Sequence, residues 1–487
     1  MRSGLHNSVL AGAGILAVSL AACAPEAPME APETPEASGT PEAAPPAAFS
    51  YTLRPRVTVA GEPVSDASLS ERMDAIGIPA AAALVMVDGE TIHSDYVGDG
   101  IGPNTLFQAA SMSKAVGALG IILAAAEQGV SLDDDIRPHL TSIDMSDVEG
   151  GDRPLTLRAL LSHTAGANVH GFPGYRDGTP LPSTAEVVLG EGNTDSVIFA
   201  ETSGEFDYSG GGYTVAQLFA EDITGEPFPA LMQRLVLQPL GLSDSTFEFP
   251  LRPETVSNPV APAFNDDGPV EGLWHHYPES AAAGLWTTAS DYARFANAIL
   301  RALEPELDSP IPESVARDMI TPVGQDYGLG LGLAHHDGVL ESFGHSGANN
   351  GYRSLFSAFP EKRAVVVILT NHDRGSWINS DYVRGVAMTL DLPMRDSVVL
   401  TREPVSESLT DACQGSYLEP GTDVVDFTLR FDEDGATILD DGETFPLVHT
   451  GNGVFVFPQM NLEFACQTDS DPVAMSVRGE TYPKAAG

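Results

Sequence analysis

From Ala80 to Val87 every position is apolar, with no polar residue interleaved. Such a run predicts a strand buried on both faces. Gly89 marks a hairpin turn, and Thr91–Val97 returns as the partner. The next apolar stretch has another texture. Between Ser111 and Gln128, Gly and Ala occupy 115, 117, 118, 120 and 124–126 among Leu and Ile. This predicts a helix with little side-chain bulk, packed tightly on all sides and closed by Gly129. Helices and glycine-rich loops follow to about residue 300, with Ser290-Asp291 starting a helix over YARFANAIL and placing acid at its positive end. The pattern then turns to short β-type runs at Tyr327–Leu333, Tyr352–Phe359 and Ala364–Thr370, the last two joined over residues 360–363. Strands therefore bracket a helical middle, an α+β domain whose two ends share one sheet. After about residue 396, DFTLRFDEDGATIL alternates apolar and polar positions. Asp434-Gly435, Asp441-Gly442 and Asn452-Gly453 there are hairpin signals. A separate all-β domain is expected, a small barrel or meander.

The ends of the chain add a compartment. Arg2 and His6 precede an apolar run from Val9 to Ala22, too short to span a bilayer but suited to a signal-peptide core. It ends Leu20-Ala21-Ala22-Cys23, which resembles the lipobox of bacterial lipoproteins. That resemblance implies removal of residues 1–22, lipidation of Cys23 and a membrane contact through its acyl chains. Ala24 after the cysteine is similar to outer-membrane sorting, in the cell envelope. Residues 24–48 carry seven prolines, five glutamates and no aromatic, so they cannot bury enough surface to fold and read as an extended tether. The expected organisation is signal peptide and lipidated cysteine over 1–23, tether over 24–48, an α+β domain over 49–395 and a β domain over 396–487. With Cys23 set aside, Cys413 and Cys466 remain as a pair in an oxidising compartment, where a disulfide is the default. No cysteine is left for catalysis or a thiolate metal site.

Charge excludes a class of partner. The 487 residues hold 68 acidic and 24 basic side chains, a formal net charge of −44. No run of Lys or Arg interrupts it, so nucleic acid is excluded as a partner, and the acid reads as a heavily solvated surface. The chain's cations are nearly all arginine. Only Lys114, Lys362 and Lys484 are lysines, and Lys114 stands three residues after Ser111 in SMSK. At i and i+3 the two side chains share a helix face, with β-carbons about 5–6 Å apart. A serine hydroxyl needs a base to become a nucleophile. Burial can lower a lysine pKa towards neutrality, whereas arginine stays protonated. The spacing therefore suggests a cation chosen because it can lose its proton.

The surroundings carry a resemblance. FQAASMSKAVGALGIILAAAEQG resembles the nucleophile helix of the serine β-lactamase and penicillin-binding protein superfamily, in the branch of class C β-lactamases, D-alanyl-D-alanine carboxypeptidases and esterases. LLSHTAG (160–166), DYSGGGY (207–213), AAAGLWTTASDYARF (281–295) and HSGANNGY (345–352) are similar to that branch's later elements, in its order and over about residues 60 to 375. The resemblance implies a β-lactamase/transpeptidase-like fold: an antiparallel sheet flanked by helices, with a helical subdomain. It also implies a cofactor-free serine hydrolase acting on a small-molecule or peptidoglycan-derived ester, β-lactam or D-alanyl amide. Ser111 would form the acyl-enzyme, Lys114 and Tyr208 would share the base work, and the backbone N–H groups of Ser111 and Ala348 would form the oxyanion hole. His345, Ser346, Gly347 and Gly210 would line the substrate site, with His345 titrating near neutrality. Where the branch has an asparagine, this chain has Gly210, which lacks a side chain for a substrate amide. That departure favours an esterase-like or relaxed peptidase activity, with Asn349 or Asn350 as candidate replacements. The alternative is a non-catalytic penicillin-recognising or cell-wall-binding protein of the same fold. His163 reads as a paired structural histidine, and the adjacent pairs His275-His276 and His335-His336 point apart, so no metal site is expected. Trp274, Trp286 and Trp377 read as core or cleft-wall residues. Nothing in the pattern fixes an oligomeric state.

Overall fold

The computed structural model describes residues 49–485 except 65, 151–153, 201–203, 395–396, 433–434 and 441. The signal peptide, Cys23 and the tether lie outside the described residues, as do Asp434 and Asp441 of two hairpin signals. Strand β1 (Val57–Val59) is followed by helix α1 (Leu69–Ile76), which Ser68 caps by accepting from the Glu71 N–H. Strand β2 (Ala81–Val87) turns through Asp88 and Gly89 into β3 (Glu90–Val97), with φ of 51° and 87° at the turn. Two successive left-handed residues suit the twist of a two-residue hairpin. A 3₁₀ turn at Ala110–Met112 leads into α2 (Ser113–Glu127). Helices α3 (Gly210–Thr224), α4 (Ser280–Ala283) and α5 (Ala289–Leu303) belong to the helical middle. Strands β4 (Gly332–His336), β5 (Val339–Asn349), β6 (Tyr352–Phe359) and β7 (Ala364–Thr370) precede helix α6 (Ser376–Thr389).

The sheet runs β3-β2-β7-β6-β5-β4, antiparallel throughout. Placing β2 against β7 joins the two ends of the domain, and it explains why both strands are apolar without a break. Alternate residues of a strand face opposite sides. Ala82, Leu84 and Met86 pack with Val365, Val367 and Leu369 in the main core, on the side of α5. Ala81, Ala83 and Val85 pack with Val366 and Ile368 beneath α1 and α6. Neither face meets water, so neither needs polar positions.

Several expected boundaries move. Residues 327–331 form an irregular loop with only isolated β-bridges at Tyr327, and β4 begins at Gly332. Helix α5 starts at Ala289 under a cap from Thr288, whose hydroxyl accepts from the Asp291 N–H, two residues before the expected start. Strand β5 had no counterpart among the expected runs. Helix α2 is buried nearly all round, as its small residues require: a β-carbon at Gly117 would press on Ala281 at 3.1–3.3 Å, and one at Gly120 would overlap the Met232 sulfur. Its apolar length would suffice to cross a membrane, but 78% of that stretch is buried inside the protein.

Beyond α6, β8 (Val398–Leu400) pairs in parallel with β1, and helix α7 (Glu407–Cys413) leads into eight antiparallel strands between Gly415 and Pro483. Tyr417 bridges Lys484, and the Ala485 N–H donates to the Ser416 carbonyl, so the first strand meets the last and the sheet closes into a barrel. Tyr417, Phe427, Phe455, Phe464 and Tyr482 fill its interior. A Cys413–Cys466 disulfide ties α7 to the barrel wall. Trp377, in the first turn of α6, meets Phe445 and Phe457 of the barrel edge-on, both at 5.8 Å between ring centres. Beside it Arg374 bonds both Asp266 and Glu443, one carboxylate from each domain.

Candidate active site

Four contacts from distant segments fix the turn that carries Ser111. Ala109 donates its N–H to the Leu285 carbonyl and accepts from Ser354 Oγ at 2.6 Å. The Tyr292 hydroxyl donates to the Met112 carbonyl at 2.8 Å, and the Leu285 N–H donates to Ser113 Oγ at 2.9 Å. Between them Ala110 sits at φ 50°, a left-handed conformation that costs a non-glycine residue roughly 1–2 kcal/mol. Strain of this kind persists only where surrounding contacts over-determine the backbone. Here it aims Ser111 out of α2 into the cleft. On the other side Gly347 lies so close to the Ala109 carbonyl and Ser354 Oγ that a β-carbon would collide with both. The glycine lets β5 rest directly on the nucleophile's turn.

Lys114 Nζ lies 3.2 Å from Ser111 Oγ and donates to the Ala282 carbonyl of α4 at 3.0 Å. The side chain is 2% exposed, and no carboxylate among the described residues pairs with it. Burial alone pushes its pKa down from 10.5 to about 7. A neutral amine keeps one lone pair, and Ser111 is the hydroxyl within its reach. Tyr208 stands on the other side of Lys114, with the ammonium position 4.9 Å from its ring centre. Burial raises the phenol's pKa, and a hydrogen bond with Ser111 pulls it partly back. At neutral pH the phenol therefore holds its proton while the lysine can give its own up. The structure brings Ser111, Lys114 and Tyr208 together.

His345 departs from expectation. It lies within β5 and is 2% exposed. Its Nδ1–H donates to the Ser346 carbonyl at 2.5 Å, and its Nε2 accepts from the Tyr327 hydroxyl at 3.0 Å. Both nitrogens are spent, one as donor and one as acceptor, which is the neutral ring. Burial first and the nearby Lys114 second lower its pKa to about 3. It supplies neither charge to a substrate nor a titration near neutrality. His163 is held by one nitrogen only: the Ser209 N–H donates to its Nδ1 at 3.0 Å, its buried Nε2 has no hydrogen-bond partner among the described residues, and its ring lies tilted against Tyr208 with centres 4.2 Å apart. Burial drives its pKa well below the ordinary value. Behind Lys114, Tyr213 and Tyr327 complete a wall of rings that keeps water from the amine.

Ser111, Tyr208, His345, Ser346, Gly347 and Ala348 line a cleft of about 1450 Å³, so His345 stands in the lining as expected although it is neutral. Pairing of β4 with β5 stops at Gly344, so residues 345–349 are laddered only on the β6 side. Ala348 lies on this open stretch and in the cleft lining. Gly210 is not among the lining residues. It is buried as the first residue of α3, and the place of its missing side chain is occupied by Phe172. Asn349 does not replace the lost amide, since its Nδ2 donates to Gln108 Oε1 at 2.6 Å and to the Ala283 carbonyl at 3.1 Å. Asn350 faces Asn265, outside the cleft lining. His275 bonds the Pro173 carbonyl, His276 faces Asp177, and His335 and His336 project from β4. Trp274 and Trp286 are core residues, in mutual edge contact. Among the described residues no three His, Cys, Asp or Glu side chains group to hold a metal.

A sequence model of the Beta-lactamase family matches residues 66–384. The chain belongs to that family. Its fold is that of the serine hydrolases of this family. Esterase EstB of Burkholderia gladioli is 26% identical over 331 residues, covering 56% of this chain and 81% of that one. Protein flp of Staphylococcus aureus strain N315 is 21% identical, covering 63% of this chain and 61% of its own. Among solved structures, the octameric penicillin-binding protein homologue of Pyrococcus abyssi superposes with a TM-score of 0.56 at 21% identity, over 85% of this chain and 98% of that one. That share reaches past the sheet domain into the barrel. For this member of the Beta-lactamase family, sequence reasoning missed Tyr327, Tyr213, Phe172 and the Ala282 carbonyl. Tyr213 and Ala282 stood in quoted motifs without a role; Tyr327 and Phe172 are joined to the site by packing.

Proposed function

We propose that the protein is an acyl-transferring serine hydrolase of esterase type. Ser111 Oγ attacks the ester carbonyl carbon as its proton passes to Lys114 Nζ; the C–O bond to the alcohol then breaks, and the proton is returned to the leaving oxygen through the Tyr208 phenol. Water repeats the sequence on the acyl-enzyme. The observation that carries this reading is the 3.2 Å approach of a carboxylate-free, buried lysine to the serine hydroxyl. A protonated phenol beside it supports Lys114, rather than Tyr208, as the acylation base. The ester preference is supported by the loss of a side chain at Gly210 with Asn349 otherwise engaged, and by the esterase among the relatives. We further propose that the enzyme works in the cell envelope, anchored through Cys23, on small-molecule or peptidoglycan-derived esters.

A fluorescent alkyl fluorophosphonate tests both parts. It should label the wild-type protein and not Ser111→Ala, and p-nitrophenyl butyrate turnover should fall at least about 10³-fold in that variant. In fractionated cells the label should follow the membrane, and Cys23→Ser should release it. Equal labelling of the serine variant removes the nucleophile. Labelling without turnover of any ester favours a non-catalytic, penicillin-recognising role.

A further inference from the structure

Residues 169–172 are fastened onto the turn that carries the phenol. The Gly210 N–H donates to the His170 carbonyl at 3.1 Å and the Gly211 N–H to the Val169 carbonyl at 2.9 Å. Ser209 Oγ donates to the Val169 carbonyl at 2.9 Å, and His170 Nδ1–H to the Tyr208 carbonyl at 2.5 Å. With four such bonds the segment is as fixed as Tyr208 itself. Phe172 at its end occupies a defined place. A β-carbon at position 210 would lie 2.7 Å from Phe172 Cε2, 3.3 Å from Cδ2 and 3.2 Å from the His170 carbonyl oxygen. With the ring where it stands, a side chain at 210 would have to displace it. Phe172 is half-buried, and with Phe206 and His170 it lines the cleft that also holds Ser111 and Tyr208. The nearby amide that could take over hydrogen bonding, Asn349, is spent on Gln108 and Ala283.

We propose that Phe172 determines specificity in the subsite beside Ser111. Its ring sets an apolar wall where an amide at 210 would reach, so the site takes esters of apolar acids, such as aryl-acetic or branched alkanoic acids. It discriminates against acyl groups that carry an acylamino substituent next to the carbonyl. An acylamino group pressed on that ring loses its water and finds no partner, which costs on the order of 10- to 100-fold in kcat/KM. An apolar group in the same place gains by leaving water. The inference rests on the acyl-enzyme reading and specifies its substrate.

The test compares p-nitrophenyl phenylacetate with the p-nitrophenyl ester of N-acetylglycine, which presents an acylamino group of similar length. The wild-type enzyme should favour the phenylacetate by about tenfold or more in kcat/KM. Phe172→Ala should cut that preference by about tenfold, and the double variant F172A/G210N should shift it further towards the acylamino ester. G210N alone, colliding with the ring, should lower activity on both. Should F172A fail to fold, Phe172→Gln leaves more of the side chain in place while supplying an amide and is expected to shift the ratio the same way. A folded F172A or F172Q whose ratio equals that of the wild type overturns the inference while leaving Ser111 as nucleophile. Undiminished turnover by Ser111→Ala removes the acyl-enzyme reading instead.

Discussion

Two buried ionisable groups flank α4 and carry opposite consequences. Lys114 is pushed down to about 7, so its cost is borne at low pH: an unfolded chain keeps that proton up to about 10.5, and stability rises with pH between these values. Below pH 7 the folded state holds a buried ammonium at a cost on the order of 5 kcal/mol, stability given up for reactivity. Glu279, at the head of α4, is fully buried, and neither carboxylate oxygen has a hydrogen-bond partner among the described residues. Burial pushes it up to about 8, so it holds a proton at neutrality. Unfolded, it would release that proton near its ordinary 4.5, and stability therefore falls as pH rises from about 4.5 to 8. Glu279→Gln removes this dependence. Its melting temperature relative to wild type should be higher by a few degrees at pH 8 and nearly unchanged at pH 4.5. An equal shift at both values would mean the carboxyl is not titrating as described. At this scale Ser111 and Lys114 were legible in sequence because lysine is so scarce that its placement stood out. The neutral state of His345 was not, because it depends on Tyr327, a residue expected in a strand and found at an isolated β-bridge in the loop before it.

Among the elements, the contact between α2 and α4 matters most to the chemistry. Gly117 admits Ala281 to within 3.1 Å of where its β-carbon would be, and that approach brings the next carbonyl, Ala282, to Lys114 Nζ. Gly117→Ala must push α4 outward by a few tenths of an ångström. Alanine's better helix propensity, about 1 kcal/mol, offsets much of the steric cost to folding, but no such gain repairs the lysine's position. Steady-state kinetics should show kcat/KM down by roughly tenfold with a melting temperature within a few degrees of wild type. Undiminished activity would show that the Ala282 contact does not orient the amine. Strands β2 and β7 were legible because burial on both faces writes itself as unbroken apolar runs. Strand β5 was not. Its functional half reads GHSGAN, with glycine at 347 demanded by the Ala109 contact and one edge open to the cleft, and small polar residues look like a loop in any periodicity.

The whole molecule joins a long-range sheet to a closed barrel. The barrel's existence was legible in its alternation and turn signals, but its position was not. Trp377 and Arg374 dock it by meeting residues 445, 457 and 443 across the domain boundary, and the cleft that begins at Ser111 is walled in part by barrel residues such as Pro446 and Met460. Contacts between segments so far apart leave no trace in local pattern. The strongly acidic surface likewise says nothing of the interior, where the one reactive cation is neutralised by burial. The most direct test of that neutral lysine is the second-order rate of fluorophosphonate inactivation of the full protein between pH 5 and 9. The rate should rise along a single titration with a midpoint near 7 and then level, and in Lys114→Arg it should be lower by at least about 10²-fold and show no such midpoint. A profile that is flat between pH 6 and 8, or an arginine variant that reacts like wild type, would contradict it.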